Sequence, residues 1–171
     1  MRLAEQFWPG PLTIILKKAV KIPSITSGGL ETVAIRFPDS NIACKIINYA
    51  GVPLAAPSAN ISGKPSPTSF SHVYEDFNGR IEAIVQGPEC TIGVESTVLS
   101  LCERIPVLLR PGKITIDEIR DVVGEADVHY SVIDKLKDKE KTLSPGVKYK
   151  HYSPEADIFV VDSSPAEYIG Y

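Results

Sequence analysis

Long hydrophobic runs and paired cysteines are both missing from this sequence of 171 residues. No apolar stretch approaches the ~18 residues of a membrane-spanning helix, and the first six residues hold an acid and no apolar core, unlike a secretory signal. Cys44, Cys90 and Cys102 are odd in number and widely spaced. These features exclude a disulfide framework and predict reduced, mostly buried thiols in a cytoplasmic protein without a membrane partner.

Several motifs of nucleotide and metal sites are also missing. The sequence contains no Gly-x-x-x-x-Gly-Lys-[Ser/Thr], no Gly-x-Gly-x-x-Gly and no Gly-x-Ser-x-Gly, which argues against P-loop ATPases, dinucleotide-binding domains and α/β-hydrolases. His72, His129 and His151 lack metal-ligand spacing, so we expect no metal site and no tightly bound cofactor. No residue has a sequence context that marks it as a general base. An enzyme with this sequence would therefore work by positioning and charge stabilisation.

The overall composition is that of an ordinary soluble domain. Hydrophobic residues make up 43% and charged residues 23%, close to the average for globular proteins, which excludes a mainly disordered chain and a coiled coil. The net charge of −3 does not indicate a nucleic-acid binder, although a local basic face is compatible with it.

Strand and helix signals alternate along the chain and predict an α/β fold. Its twisted sheet is expected to be mostly mixed, with flanking helices, because several connections are too short for crossover helices. Residues 11–18 and 32–37 are predicted strands because they are rich in β-branched residues and bounded by Pro and Gly. Further strands are predicted at residues 54–56, a short apolar run, and at 81–86, 97–102 and 107–110. The predicted helices are 40–50, 69–77 and one that begins with a capping box at Thr115–Glu118 and ends at Gly124.

The pattern at both ends predicts a piece of a longer protein. Residues 2–7 resemble the last turns of a helix, and the alternative is a short native N-terminal helix. We expect a first domain over 1–142 that lacks its N-terminal part and a linker over 143–156. Residues 157–171 would be the first strand of a truncated C-terminal α/β domain.

A loop of small and polar residues at 57–69 is the most unusual stretch. Most of its residues are Ser, Thr, Gly or Pro, which supply hydroxyls and close-approach amides for phosphate or carboxylate oxygens, and Lys64 adds a positive charge. The alternative is a proline-rich connector whose hydroxyls cap the following helix.

Three other places could converge on this loop. Arg36 and Arg110 each end a predicted strand, where a guanidinium can hold a carboxylate or phosphate. Residues 93–97 present a carboxylate and two hydroxyls before a strand. For each of these alone, a surface arginine or a simple turn remains the alternative.

These motifs together resemble a known family, the YrdC-like L-threonylcarbamoyl-AMP synthases in their two-domain form. The resemblance runs in order from residue 7 to about 156 and rests on the segments 7–13, 33–38, 56–63, 66–68, 95–98, 109–112 and 144–146. It implies a YrdC-like sheet domain followed by an interdomain linker and a second α/β domain.

The resemblance also implies a reaction. Threonine combines with bicarbonate or CO2 as an N-carboxylate, which attacks the α-phosphorus of ATP and yields threonylcarbamoyl-AMP and diphosphate. Mg²⁺ would accompany the ATP. The carbamoyl group later reaches a tRNA adenosine beside the anticodon, so tRNA and tRNA-modifying proteins are the expected partners.

Site residues are carried over position by position. Threonine would be bound by Arg36 and Ser96. ATP would be bound by Thr32, Ser58, Ser66 and Arg110. Supporting roles, in the loop and in a linker that folds over the site as a lid, fall to Asn60, Lys64, Ser144, Tyr149, His151 and Tyr152.

The family's upstream Thr-x-Thr-x-Tyr-Gly-Leu-like strand and Lys-x-Arg motif are not found here, so we expect this chain alone to be inactive or weakly active. One alternative is a non-catalytic module that binds double-stranded RNA through a basic patch, formed by Lys17, Lys18, Lys21, Arg36 and Lys64. Another is the carbamoyl-transferring relative of hydrogenase maturation, against which the linker segment 144–146 argues.

Overall fold

The computed structural model describes residues 2–133 of the chain. The predicted linker with Ser144, Tyr149, His151 and Tyr152, and the strand predicted after it, lie outside the described residues, so the domain limits stay predictions. Among the residues described, no helix is long and apolar enough to cross a membrane. All three cysteines are free; Cys90 is exposed and the other two are partly buried, so the expectation of mostly buried thiols is wrong.

Five strands form one mixed sheet, in the spatial order β2-β1-β3-β4-β5. They are β1 (Leu12–Lys17), β2 (Thr32–Arg36), β3 (Thr97–Ser100), β4 (Val107–Arg110) and β5 (Asp127–Val128). The pairs β1–β2 and β3–β4 are antiparallel, whereas β1–β3 and β4–β5 are parallel. The predicted mixed α/β sheet is confirmed.

Helices precede, interrupt and follow these strands. They are α1 (Arg2–Phe7), α2 (Asn41–Ala50), α3 (Phe70–Phe77), α4 (Ile116–Val123) and α5 (Tyr130–Ile133). The Ser40 hydroxyl accepts a hydrogen bond from the Ala43 N–H at 3.3 Å, and Gly51 ends α2 in the left-handed conformation with a φ of 67°. The predicted capping box of Thr115 and Glu118 opens α4. The caps at Ser40 and Thr115 supply hydrogen-bond acceptors to free N–H groups in the first turns of α2 and α4.

The core lies on both faces of the central strands. On one face, α1 and α4 bring Leu3 and Ile119 against Leu12 and Ile14 of β1 and against β3 and β4. Ile15 belongs to a smaller cluster with residues of β3 and β4. Because successive side chains of a strand point to opposite faces, the apolar run of β1 is buried on both sides.

Two predicted strands are wrong, and two short elements were not predicted. Residues 54–56 and 81–86 are loops, in which Leu54 and Val85 remain 47% and 63% exposed and pair with no strand. None of residues 31–95 is buried, so this segment takes no part in the core. The two-residue β5 and the four-residue α5 are too short to give a periodic signal.

The segment after β4 lies unusually close to the segment before β3. A Cβ atom added to Gly112 would come within 2.5 Å of the Thr97 backbone nitrogen and 2.6 Å of the Glu95 carbonyl oxygen. These partners are main-chain atoms, so they cannot swing away as a flexible side chain would. Gly112 therefore allows the two segments to meet.

Replacing this glycine tests the close approach. We expect Gly112→Ala to lower the free energy of unfolding by about 1–3 kcal/mol, because the new methyl group overlaps backbone. Gly93→Ala is the matched control, since no atom lies within 4 Å of its Cβ position, and it should change stability by less than about 0.5 kcal/mol. Urea titrations of both variants measure this, and equal stabilities would contradict the packing described.

Candidate anion-binding site

The sheet lines up two arginines on neighbouring strand ends. Arg36 pairs with Thr13 across β2 and β1, Thr13 pairs with Val98 across β1 and β3, and Val98 pairs with Arg110 across β3 and β4. This row spans three strand spacings, roughly 14 Å, which two long side chains can bridge. The sheet therefore brings Arg36 and Arg110, each the last residue of its strand, toward one site.

Main-chain carbonyl groups hold both guanidinium groups in place. The Arg36 Nε donates to the Gly10 carbonyl oxygen at 3.1 Å. The Arg110 Nε and Nη2 both donate to the Ser96 carbonyl oxygen, at 3.1 and 2.9 Å, and Nη2 also donates to the Ser96 hydroxyl at 3.2 Å. Each guanidinium has five N–H groups, so both keep donors for a ligand.

The two guanidinium charges lie close enough to affect each other. Burial lowers the pKa of the Arg36 guanidinium, and the positive charge of Arg110 lowers that pKa further. Within residues 2–133, neither arginine forms an ion pair with a carboxylate. A carboxylate or phosphate bound here would relieve the repulsion and accept paired hydrogen bonds from a planar fork.

Two hydroxyl groups complete this end of the sheet. Ser96 is only 7% exposed, and its Oγ lies 2.7 Å from the Oγ1 of Thr13. The neighbouring hydroxyl of Thr97 serves the fold instead, because it donates to the Ile114 carbonyl oxygen at 2.7 Å and accepts from the Ile114 N–H at 3.0 Å. Sequence reasoning missed Thr13 as a site residue; the signal was a single hydroxyl within the apolar run of β1.

The loop 57–69 forms a second polar cluster, tied to α3. The Asn60 side-chain amide donates to the carbonyl oxygens of Ile61 and Lys64, at 3.1 and 2.9 Å. Asp76, 13% exposed, accepts from the Lys64 Nζ at 2.6 Å and from the Ile61 N–H at 3.4 Å. The hydrogen bond from Lys64 is the main reason that the pKa of the Asp76 carboxyl is lowered.

Two buried polar atoms in this loop have no hydrogen-bond partner among the described residues: the Asn60 Oδ1 and the Ser66 Oγ. Such atoms are costly to bury unless something satisfies them. Ser58 is exposed in the same loop. The loop thus has polar groups that could meet a ligand, and its role in binding an anion stays a prediction.

Thr32 lies apart from the arginine site. It begins β2, whereas Arg36 ends it, so the two are separated by four residues of strand, roughly 13 Å. The structure therefore brings Arg36, Ser96 and Arg110 together, but not Thr32 with them.

Two other kinds of site, a metal site and a basic surface, can be compared with the described residues. They hold no group of three or more His, Cys, Asp or Glu that could bind a metal ion. The Lys18 side chain is 7% exposed, and its Nζ donates to the hydroxyls of Ser24 and Ser27 at 3.2 and 3.3 Å. Lys18 is enclosed and Lys64 bonds Asp76, whereas Lys17, Lys21 and Arg36 are exposed, so the basic patch for RNA binding stays a prediction.

Comparisons with known proteins identify the same family that the sequence motifs resemble. A family model described as "Telomere recombination" (Sua5_yciO_yrdC) matches residues 1–112, and one described as "Threonylcarbamoyl-AMP synthase, C-terminal domain" matches residues 114–169. Proteins named threonylcarbamoyl-AMP synthase from Pyrococcus abyssi and Bacillus subtilis are 54% and 52% identical to this chain. These matches cover 94% and 95% of the chain, and 46% of each relative.

A solved structure is similar as well. The crystal structure of P. abyssi Sua5 complexed with L-threonine superimposes with a TM-score of 0.83 at 55% identity, over 91% of this chain and 45% of that one. The chain thus spans less than half the length of the relatives it matches. With both family models matched in order, the chain belongs to the YrdC-like family, in its two-domain Sua5 form.

Proposed function

We propose that this chain carries a substrate-binding region of an L-threonylcarbamoyl-AMP synthase, which joins ATP, L-threonine and bicarbonate or CO2. The observation that carries the proposal is the pair of guanidinium groups of Arg36 and Arg110, whose charges affect each other and which have no carboxylate partner among the described residues. Relatives named for this activity and a P. abyssi Sua5 complex with L-threonine support it.

The threonine side of the site uses Arg36 and Ser96. The carboxylate of threonine accepts hydrogen bonds from the Nη groups of Arg36, which make no bond within the described residues, and from a hydroxyl at Ser96. This fixes the amino acid through its carboxylate and leaves the amine free to take up CO2 as a carbamate.

The ATP side uses Arg110 with the loop 57–69. MgATP enters as substrate, and its phosphates meet the Nη1 of Arg110 and the hydroxyls of Ser58 and Ser66, with Thr32 as a more distant contact. The carbamate oxygen forms a bond to the α-phosphorus. The bond from that phosphorus to the bridging oxygen breaks, and diphosphate leaves with the electron pair. The residues contribute by positioning and by neutralising negative charge.

The product would be used in tRNA modification, which makes tRNA and tRNA-modifying proteins the partners that we propose. The three free cysteines agree with a reducing compartment such as the cytoplasm. Ser144, Tyr149, His151 and Tyr152 are proposed as lid contacts over the bound substrates.

Removing one guanidinium tests the threonine site. We expect Arg36→Ala to weaken L-threonine binding roughly 10- to 100-fold, because a charge-assisted pair of hydrogen bonds is lost. Arg104→Ala is the matched control: the residue is exposed in the turn between β3 and β4, and its removal should leave affinity unchanged. Isothermal titration calorimetry measures both. Equal affinities of the two variants, or no threonine binding by the unmodified chain, would contradict the proposal.

Releasing the loop from α3 tests the ATP side. We expect Asp76→Asn to weaken MgATP binding roughly three- to ten-fold, because the loop loses its charged anchor to Lys64, and to leave L-threonine binding unchanged. Glu75→Gln makes the same charge change at the adjacent exposed position and serves as control. Titration with each ligand distinguishes the effects. A loss of threonine affinity equal to that of MgATP would show that Asp76 acts on the whole fold.

A further inference from the structure

Thr13 is the polar residue that the proposed function leaves without a role. It lies in β1, where it is partly buried on the face opposite to Leu12 and Ile14. A valine would fill such a strand position equally well, whereas a hydroxyl there costs free energy unless it is hydrogen-bonded. Across the sheet, Thr13 is the direct register partner of Arg36. Its hydroxyl is therefore placed where the two arginines meet.

The hydrogen bonds of Thr13 and Ser96 can be counted. The two Oγ atoms lie 2.7 Å apart, and Arg110 donates to the Ser96 Oγ at 3.2 Å. Apart from these bonds, neither hydroxyl has a partner in the part of the chain that the structure describes. The two side chains have one hydroxyl hydrogen each, and the hydrogen bond between them uses one of the two. Whichever oxygen donates within the pair, one O–H remains for a ligand.

The remaining donor is polarised by Arg110. If Ser96 donates to Thr13, the charge acts along a chain from Arg110 through Ser96 to the Thr13 O–H. If Thr13 donates to Ser96, the Ser96 oxygen accepts from both neighbours and its own O–H points to the ligand. In both cases a hydroxyl that accepts from a charged donor becomes a stronger donor itself. Thr13 and Ser96 thus act as one unit.

We propose that Thr13 is a further residue of the threonine-carboxylate site, in which it and Ser96, itself held by Arg110, together present one O–H donor to the anion held by Arg36. This rests on the proposed function, because it assigns the anion as the carboxylate of the amino-acid substrate. Thr13 either contacts that carboxylate or orients the Ser96 hydroxyl that does. The unit, rather than either hydroxyl alone, determines the affinity.

The test compares variants of Thr13 that keep or remove the hydroxyl. We expect Thr13→Val to weaken L-threonine binding roughly five- to ten-fold and Thr13→Ser to restore it to within roughly two-fold of the parent. The double variant Thr13→Val with Ser96→Ala should bind no more weakly than Ser96→Ala alone, because both remove the same unit. Thr91→Val, at an exposed loop position, is the matched control. Isothermal titration calorimetry with L-threonine, with thermal unfolding of each variant, gives these values.

The possible results distinguish a failure of this inference from a failure of the proposed function on which it rests. Thr13→Val binding as tightly as the parent, Thr13→Ser binding as weakly as Thr13→Val, or additive losses in the double variant would each overturn the hydroxyl unit and leave the threonine site standing. No threonine binding by the parent would overturn the proposed function and this inference with it. Weak binding by Thr13→Val, rescue by Thr13→Ser and a non-additive double variant would establish the unit.

Discussion

Two positive charges are held at one end of the sheet by hydrogen bonds to main-chain carbonyl oxygens instead of by carboxylates. Arg36 uses the carbonyl of Gly10 and Arg110 uses that of Ser96. Carbonyl groups orient a guanidinium but do not neutralise it, so both charges remain available for a ligand. Partial burial and the charge of Arg110 lower the pKa of the Arg36 guanidinium, and a bound anion would offset the repulsion between the two charges.

This arrangement depends on the packing of the strands beneath it. The row from Arg36 through Thr13 and Val98 to Arg110 keeps its register because β1 and β3 are buried, with Leu12 and Leu99 fully enclosed. The close approach of Gly112 to the segment before β3 keeps Ser96 within reach of Arg110. Sites built on strands position side chains more accurately than sites built on loops. The more exposed loop 57–69 needs its anchor at Asp76 for the same reason.

Much of the fold could be predicted from the sequence, because strands and helix caps depend on residues that are close together in the chain. Arg36 and Arg110 are predicted as site residues because each ends a strand, and the caps at Ser40 and Thr115 follow from hydroxyl chemistry. Residues 54–56 and 81–86 were wrongly predicted as strands, since a short apolar run does not reveal whether a neighbouring strand is there to pair with it. Thr13 was missed because its role depends on Ser96, which lies 83 positions away. A partner so distant in sequence leaves no local pattern.

The central claim is that Arg36, with the charge of Arg110 nearby, recognises the carboxylate of threonine. The most direct measurement is calorimetric titration of this chain with L-threonine and, in parallel, with L-threoninamide, which differs only in replacing the charged carboxylate by a neutral amide. We predict that the amide binds at least roughly 30-fold more weakly, since it cannot neutralise the guanidinium pair. Equal binding of the two compounds would contradict the account, because it would show that the site recognises threonine without using the charge that Arg36 and Arg110 supply.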